Sequence, residues 1–250
     1  MKAPRSVAAL VFALVLPAAI DGRRAGAAQD EWATARRGMV DSQLRARDIR
    51  DRAVLAAMEK VPRHLFVPPE TRRRAYEDTP LPIGLEQTIS QPYIVAYMTE
   101  ALQLSRDHAV LEIGTGSGYQ AAVLAELVRD VYTIEIVPDL ADRARRTLHE
   151  AGYRNVHVRA GNGYLGWPER APFPRIIVTA APPKVPQALV DQLAVGGNMV
   201  LPVGKDFQEM TIVTKTNRGV AQRKTIPVRF VPMVDRYIDK KARQKEEDRR

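Results

Sequence analysis

The feature that most constrains this chain is a run of three glycines set between an apolar stretch and an amphipathic one. Val110-Leu111-Glu112-Ile113 leads into Gly114-Thr115-Gly116-Ser117-Gly118, and Tyr119 to Val128 follows. A short apolar run bounded by glycine reads as a buried strand, and the longer periodic run as a helix. Glycine lets the backbone turn tightly and lets a ligand approach with no Cβ in the way. The start of the helix leaves free N–H groups. Such a unit belongs to an open α/β sheet, in which ligands sit outside the carboxyl ends of the strands.

The sequence beyond it keeps alternating. Val131 to Glu135 reads as a second strand. Pro138 opens a helix carrying Leu140, Ala144 and Leu148 that closes near Gly152. Val156 to Ala160 and Arg175 to Thr179 are the third and fourth strands. Gln187 to Leu193 is helical, with Gly196-Gly197 as its stop. Asn198 to Leu201, Met210 to Lys215 and Lys224 to Val231 are later strands, and the short break at Asn217 to Ala221 predicts an antiparallel edge hairpin. Ahead of the glycine turn, Thr34 to Lys60 has an interrupted helical pattern, and Glu70 to Tyr76 reads as a short exposed helix. Pro92 opens a helix running through Met98 to Leu104. The fold class is therefore α/β: a doubly wound, mostly parallel Rossmann-like sheet with helices on both faces, N-terminal helices and an antiparallel edge hairpin.

Residues 1–28 differ from the rest. Lys2 and Arg5 precede an apolar run from Val7 to Ile20, too short to span a bilayer as a helix but suited to a signal-peptide core. Ala25-Gly26-Ala27 resembles a cleavage site, while Pro17, Asp21, Arg23 and Arg24 argue against export. The segment is expected to be signal-like or anchoring, with membrane contact only if it is retained. The domain itself is expected over 31–234, followed by a charged tail, 235–250.

The formal charge of +9 is local, concentrated in arginines such as Arg36, Arg37, Arg45, Arg47, Arg50, Arg52 and Arg72 to Arg74. Acidic neighbours such as Asp41, Asp48 and Asp51 make this a solvated, ion-paired face, with a weak attraction to acidic partners as the alternative. No nucleic-acid motif accompanies it. The chain has no cysteine, which excludes disulfides, thiolate metal sites and cysteine nucleophiles. Its four histidines show no metal-binding spacing, so no metal is expected. His64 and His157 read as packing or surface residues.

The glycine spacing is G-x-G-x-G rather than the G-x-G-x-x-G dinucleotide fingerprint. Glu135 ends the second strand, where a carboxylate can accept both hydroxyls of a ribose. Together they fit an adenosine ligand without a pyrophosphate, and S-adenosylmethionine is such a ligand. Glu112 can hold the amino group of the methionine moiety, or can be a capping or solvent-facing carboxylate. Gly161-Asn162-Gly163, after the third strand, can place Asn162 on the adenine amino group, or can be an ordinary Asn-Gly turn. Tyr164 and Trp167 either flank the adenine or pack the loop. Ser90 alone reads as a helix N-cap ahead of Pro92.

Gln87-Thr88-Ile89-Ser90-Gln91-Pro92-Tyr93, upstream of the glycine turn, resembles the protein-L-isoaspartate O-methyltransferase family. Val61-Pro62-Arg63, Leu81-Pro82-Ile83-Gly84, Ile176 to Ala181 and Leu201-Pro202-Val203-Gly204 extend the resemblance from about Thr34 to Val234. It implies a class I S-adenosylmethionine-dependent methyltransferase acting on the α-carboxylate of L-isoaspartyl residues in damaged polypeptides, in the cytoplasm where that cosubstrate is supplied; a single domain with extra N-terminal helices suggests a monomer. It implies Ser90 at the acceptor. It implies Gln87, Thr88, Ile89, Gly114, Gly116, Gly118, Glu135, Asn162 and Gly163 around the cofactor. The family turn carries aspartate where this chain has Asn162. Alternatives at this stage are a methyltransferase of another carboxylate acceptor, a non-catalytic binder of damaged polypeptides, or an exported protein.

Overall fold

Among the described residues nine strands form two sheets, and their placement follows from which apolar runs can be buried on both faces. The computed structural model describes residues 31–236. The signal-like segment 1–28 and the tail beyond Arg236 lie outside the described residues.

The chain is helical from 31 to 39 (α1), widens into a π-helical turn at Val40–Arg45, and re-enters a helix at Arg52–Lys60 (α2). The single helical pattern expected from Thr34 to Lys60 is therefore broken. Asp51 caps α2 by accepting the N–H groups of Ala53 and Val54. The Glu100 carboxylate accepts those of Arg50 and Asp51. The exposed helix expected at Glu70 is a 3-10 turn, Pro69–Arg74. A small antiparallel hairpin follows, β1 (Leu81–Gly84) and β2 (Gln87–Ile89), and then α3 (Pro92–Ala101). The ion pairs Arg45–Asp41, Arg47–Asp78 and Arg74–Glu77 line the exposed face of this N-terminal layer. His64 stacks on Trp32 there, with its ring nitrogen 2.8 Å from the Tyr76 hydroxyl.

The alternating elements then appear nearly where the pattern puts them. They are β3 (Ala109–Ile113), α4 (Tyr119–Ala125), β4 (Asp130–Glu135), α5 (Pro138–Glu150), β5 (Val156–Ala160), β6 (Phe173–Val178) and α6 (Gln187–Gln192). The seven-stranded sheet closes with β7 (Leu193–Val203), β8 (Gln208–Thr216) and β9 (Gly219–Val228), in the order β5-β4-β3-β6-β7-β8-β9. Strands β3 to β7 pair in parallel, while β7–β8 and β8–β9 are antiparallel. Gly196-Gly197 does not stop α6. It forms a bulge inside β7, where the pairing partner jumps from Leu193 opposite Phe173 to Asn198 opposite Arg175.

Alternation along the strands sends side chains into two cores. Val110, Val131 and Ile177 face the core built with α2, α3, α4 and α5. Leu111, Ile134, Ile176 and Met199 face the one covered by α6. The chain leaves β3 first toward β4 and later returns to pair β6 on its other side. The strand order therefore reverses at β3, opening a crevice at its carboxyl end. Among the described residues no helix is long and apolar enough to cross a membrane.

Candidate active site

A cavity of about 520 Å³ occupies that crevice, a volume suited to a small-molecule ligand. Gly114 and Gly116 form one wall, Glu135 to Val137 another, and Gly163 and Thr179-Ala180 the floor. The hairpin residues Leu85 to Thr88 and the late segment Val231 to Val234 close it over.

The absence of side chains at two points lets the walls pack closely. Gly114 has φ of +98°, and a Cβ there would stand 2.4 Å from Thr179 Oγ1. The Thr179 hydroxyl donates to the Gly114 carbonyl at 2.6 Å, and the Thr179 N–H to the Ile113 carbonyl at 2.8 Å, tying the end of β6 to the turn. A Cβ on Gly163 would stand 2.3 Å from Ile113 Cγ2.

Glu135 is 5% exposed. One carboxylate oxygen accepts the Gly116 N–H at 2.7 Å, and the other the Val137 N–H at 3.0 Å. Burial pushes its pKa up, and the N–H groups of Gly116, Val137 and Ile136 pull it back. Each oxygen keeps a lone pair for a ligand hydroxyl.

Glu112 is placed differently. It points to the opposite face of β3 from the cavity-lining Ile113 and is fully buried. The Thr133 hydroxyl donates to one of its oxygens, and the other has no hydrogen-bond partner. The Thr133 and Thr115 hydroxyls lie 2.7 Å apart, so the chain Glu112–Thr133–Thr115 underpins the glycine turn from below. Burial raises the Glu112 pKa to about 8 against the single Thr133 bond, with the neighbouring Glu135 adding to the rise.

Of the residues singled out in the sequence, Gln87, Thr88, Gly114, Gly116, Glu135 and Gly163 line this cavity. Ile89 is buried in the core beside it. Ser90 follows β2 and is half-buried, with its carbonyl accepting from Arg63 at 2.8 Å. It is not the N-cap of α3: that position is Gln91, and no side chain caps it. Gly118 caps α4 and packs on Leu148, away from the cavity. Asn162 turns its carbonyl oxygen to the Tyr164 N–H at 2.8 Å and lines a neighbouring cavity that shares Pro232, Met233 and Val234. Trp167 packs under Arg159 and against Tyr132, and neither Tyr164 nor Trp167 lines the first cavity.

Sequence reasoning missed Leu85, Glu86, Ile136, Val137, Thr179, Ala180 and the 231–234 segment. Thr179-Ala180 carried a signal, since they end the strand at which the order reverses. Leu85 and Glu86 carried none: both sit at positive φ (53° and 59°) in a two-residue turn that usually takes asparagine and glycine. Among the described residues no cluster of potential metal ligands occurs.

The reversed strand order, the glycine turn and the acidic end of the second parallel strand define a class I methyltransferase domain. Known proteins carry the assignment further. The family of protein-L-isoaspartate(D-aspartate) O-methyltransferases matches residues 35–238. A protein-L-isoaspartate O-methyltransferase from Gloeobacter violaceus is 63% identical over 197 residues, covering 78% of this chain and 96% of that protein. One from Methanoculleus marisnigri is 53% identical over 206 residues, covering 81% and 92%. A solved beta-aspartate methyltransferase from Plasmodium falciparum, in complex with S-adenosyl-L-homocysteine, superposes with a TM-score of 0.72 at 25% identity, covering 80% of this chain and 98% of that one. This chain belongs to the protein-L-isoaspartate(D-aspartate) O-methyltransferase family.

The buried Glu112 sets a pH signature. Its pKa in the fold, about 8, lies above the ordinary glutamate value of 4.5. Its contribution to stability is therefore full below about pH 4.5 and is lost as pH rises through 8. Glu112→Gln should match the wild type in urea midpoint at low pH and grow progressively more stable than it toward pH 8. A constant difference between the two across that range would contradict a protonated Glu112.

Proposed function

We propose that this chain is a protein repair methyltransferase, moving a methyl group from S-adenosylmethionine to the free α-carboxylate of L-isoaspartyl residues in damaged polypeptides. The observation that carries this reading is the cavity at the β3 switch point, where Glu135 and the glycine turn meet the Gln87–Thr88 rim immediately before Ser90. The donor set fits the cosubstrate. Glu135 offers acceptors to ribose hydroxyls, and Gly114 and Gly163 let the cavity walls approach where any Cβ would collide with Thr179 or Ile113. When bound, S-adenosylmethionine supplies an electrophilic methyl group on a sulfonium.

A free carboxyl is ionised at neutral pH, so the acceptor needs no general base. Its oxygen forms the new C–O bond as the S–CH₃ bond breaks and the electron pair stays on sulfur. The protein's part is alignment and exclusion of water. The Ser90 hydroxyl positions the acceptor by hydrogen bonding and forms no covalent intermediate. The resulting ester then collapses to a succinimide without further catalysis. The reading takes the catalytic domain as 31–234, acting as a monomer in the cytoplasm, where S-adenosylmethionine is supplied.

Label transfer from S-adenosylmethionine to an isoaspartyl peptide, and none to its aspartyl twin, is the expected result. Equal labelling of the two would defeat the reading. Ser90→Ala should lower peptide kcat/KM by about 10- to 100-fold while leaving cosubstrate affinity near the wild type. Asn162→Asp restores the charged acceptor of the family turn and should tighten cosubstrate binding by about 1 kcal/mol, read by calorimetry. N-terminal sequencing of the native protein decides the compartment: an intact start fits the cytoplasm, and cleavage after the 25–27 stretch places the protein outside it.

A further inference from the structure

We infer that Arg63 is a positioning residue for the acceptor: sealed beneath Ser90, its guanidinium fixes the Ser90 backbone against the helix that follows the glycine turn. The inference rests on the reading that Ser90 meets the acceptor.

Arg63 opens the 3-10 turn Arg63–Phe66 after α2 and is 0% exposed. Its Nε donates to the Ala75 carbonyl at 2.7 Å, and one terminal nitrogen donates to the Ser90 carbonyl at 2.8 Å. The guanidinium lies 4.8 Å from the centre of the Tyr119 ring. Tyr119 is itself buried and is the first residue of α4, directly after Gly118. One planar group thus touches Ser90 and the first residue of the helix that follows the glycine turn.

The arrangement is costly as packing. The remaining terminal nitrogen has no hydrogen-bond partner. Among the described residues no carboxylate pairs with Arg63. A buried cation without an ionic partner is destabilising, and an apolar side chain of similar volume fills such a place more favourably. What an apolar side chain cannot do is hold two carbonyls, at Ala75 and Ser90, at fixed separation. A rigid guanidinium fork does this, whereas an ammonium, being a point charge, holds one of them well.

The test is a cycle of four proteins, wild type, Arg63→Met, Ser90→Ala and the double variant, assayed with an isoaspartyl peptide and, by calorimetry, with S-adenosylhomocysteine. Arg63→Met should lower peptide kcat/KM by about tenfold or more and leave S-adenosylhomocysteine affinity within about threefold. In the Ser90→Ala background the same substitution should change peptide kcat/KM by less than about threefold, because the group it positions is already gone. Arg63→Lys should recover part of the loss, and it takes the place of Arg63→Met throughout the cycle if circular dichroism shows that variant unfolded. Equal losses in both backgrounds, or a parallel loss of S-adenosylhomocysteine binding, would reduce Arg63 to a general structural role and overturn the inference. If Ser90→Ala is as active as the wild type, the reading of Ser90 fails first and the inference falls with it. A normal Ser90 effect with an additive Arg63 effect removes the inference alone.

Discussion

The crevice exists because β3 ends where two neighbouring strands diverge and because nothing larger than hydrogen stands at its tip. The Thr179 hydroxyl reaches across from the end of β6 to the Gly114 carbonyl at 2.6 Å. That contact requires the turn to pass so close that a Cβ on Gly114 would stand well inside van der Waals contact with the threonine oxygen. Ile113 uses the space over Gly163 in the same way. Glu135 then fastens the next glycine, Gly116, through its N–H. The turn is held from three sides before any ligand arrives, which is the preorganisation that an alignment-driven reaction needs.

The βαβ core was legible because its signals are local. Ala109–Ile113 is a mostly apolar run and Val156–Ala160 an alternating one, each bounded by turn residues, and α5 shows its helical stripe openly. The errors arose where distant contacts overrule local pattern. The break between α1 and α2 is held by Glu100, about fifty residues on in sequence, which accepts the backbone N–H groups of Arg50 and Asp51. Gly196-Gly197 was read as a helix stop from propensity, yet the neighbouring strand keeps the chain extended and absorbs the glycines as a bulge.

The site was legible in its frame and not in its lid. Glu135 and the glycines announce themselves by type and position. Leu85 and Glu86, by contrast, adopt left-handed backbone that their side chains disfavour, so no rule of turn composition finds them. Their placement on the cavity rim fits the tendency of strained backbone to collect at functional sites. Glu112 shows the opposite case, a residue of the right type one position away from the cavity. Because strand side chains alternate, Ile113 takes the ligand face and Glu112 is turned into the core.

Two fully buried ionisable side chains therefore share the core behind the crevice, and each is bonded to neutral groups rather than to an opposite charge. Glu112 reaches the glycine turn through Thr133 and Thr115. Arg63 reaches Ser90 directly and Tyr119 through its ring face. Burial drives both toward their uncharged forms, Glu112 up to about 8 and Arg63 down to about 10. Burial thus favours the protonated carboxyl at Glu112, while the Arg63 guanidinium keeps its charge at neutral pH. The core thus presents a neutral donor-acceptor chain under the cosubstrate turn and a fixed cation under Ser90. On the proposed reading an ionised acceptor approaches Ser90, and a fixed cation on the far side of that residue favours its approach electrostatically, while Glu135, bonded to the Gly116 N–H, stays on the cosubstrate side of the turn.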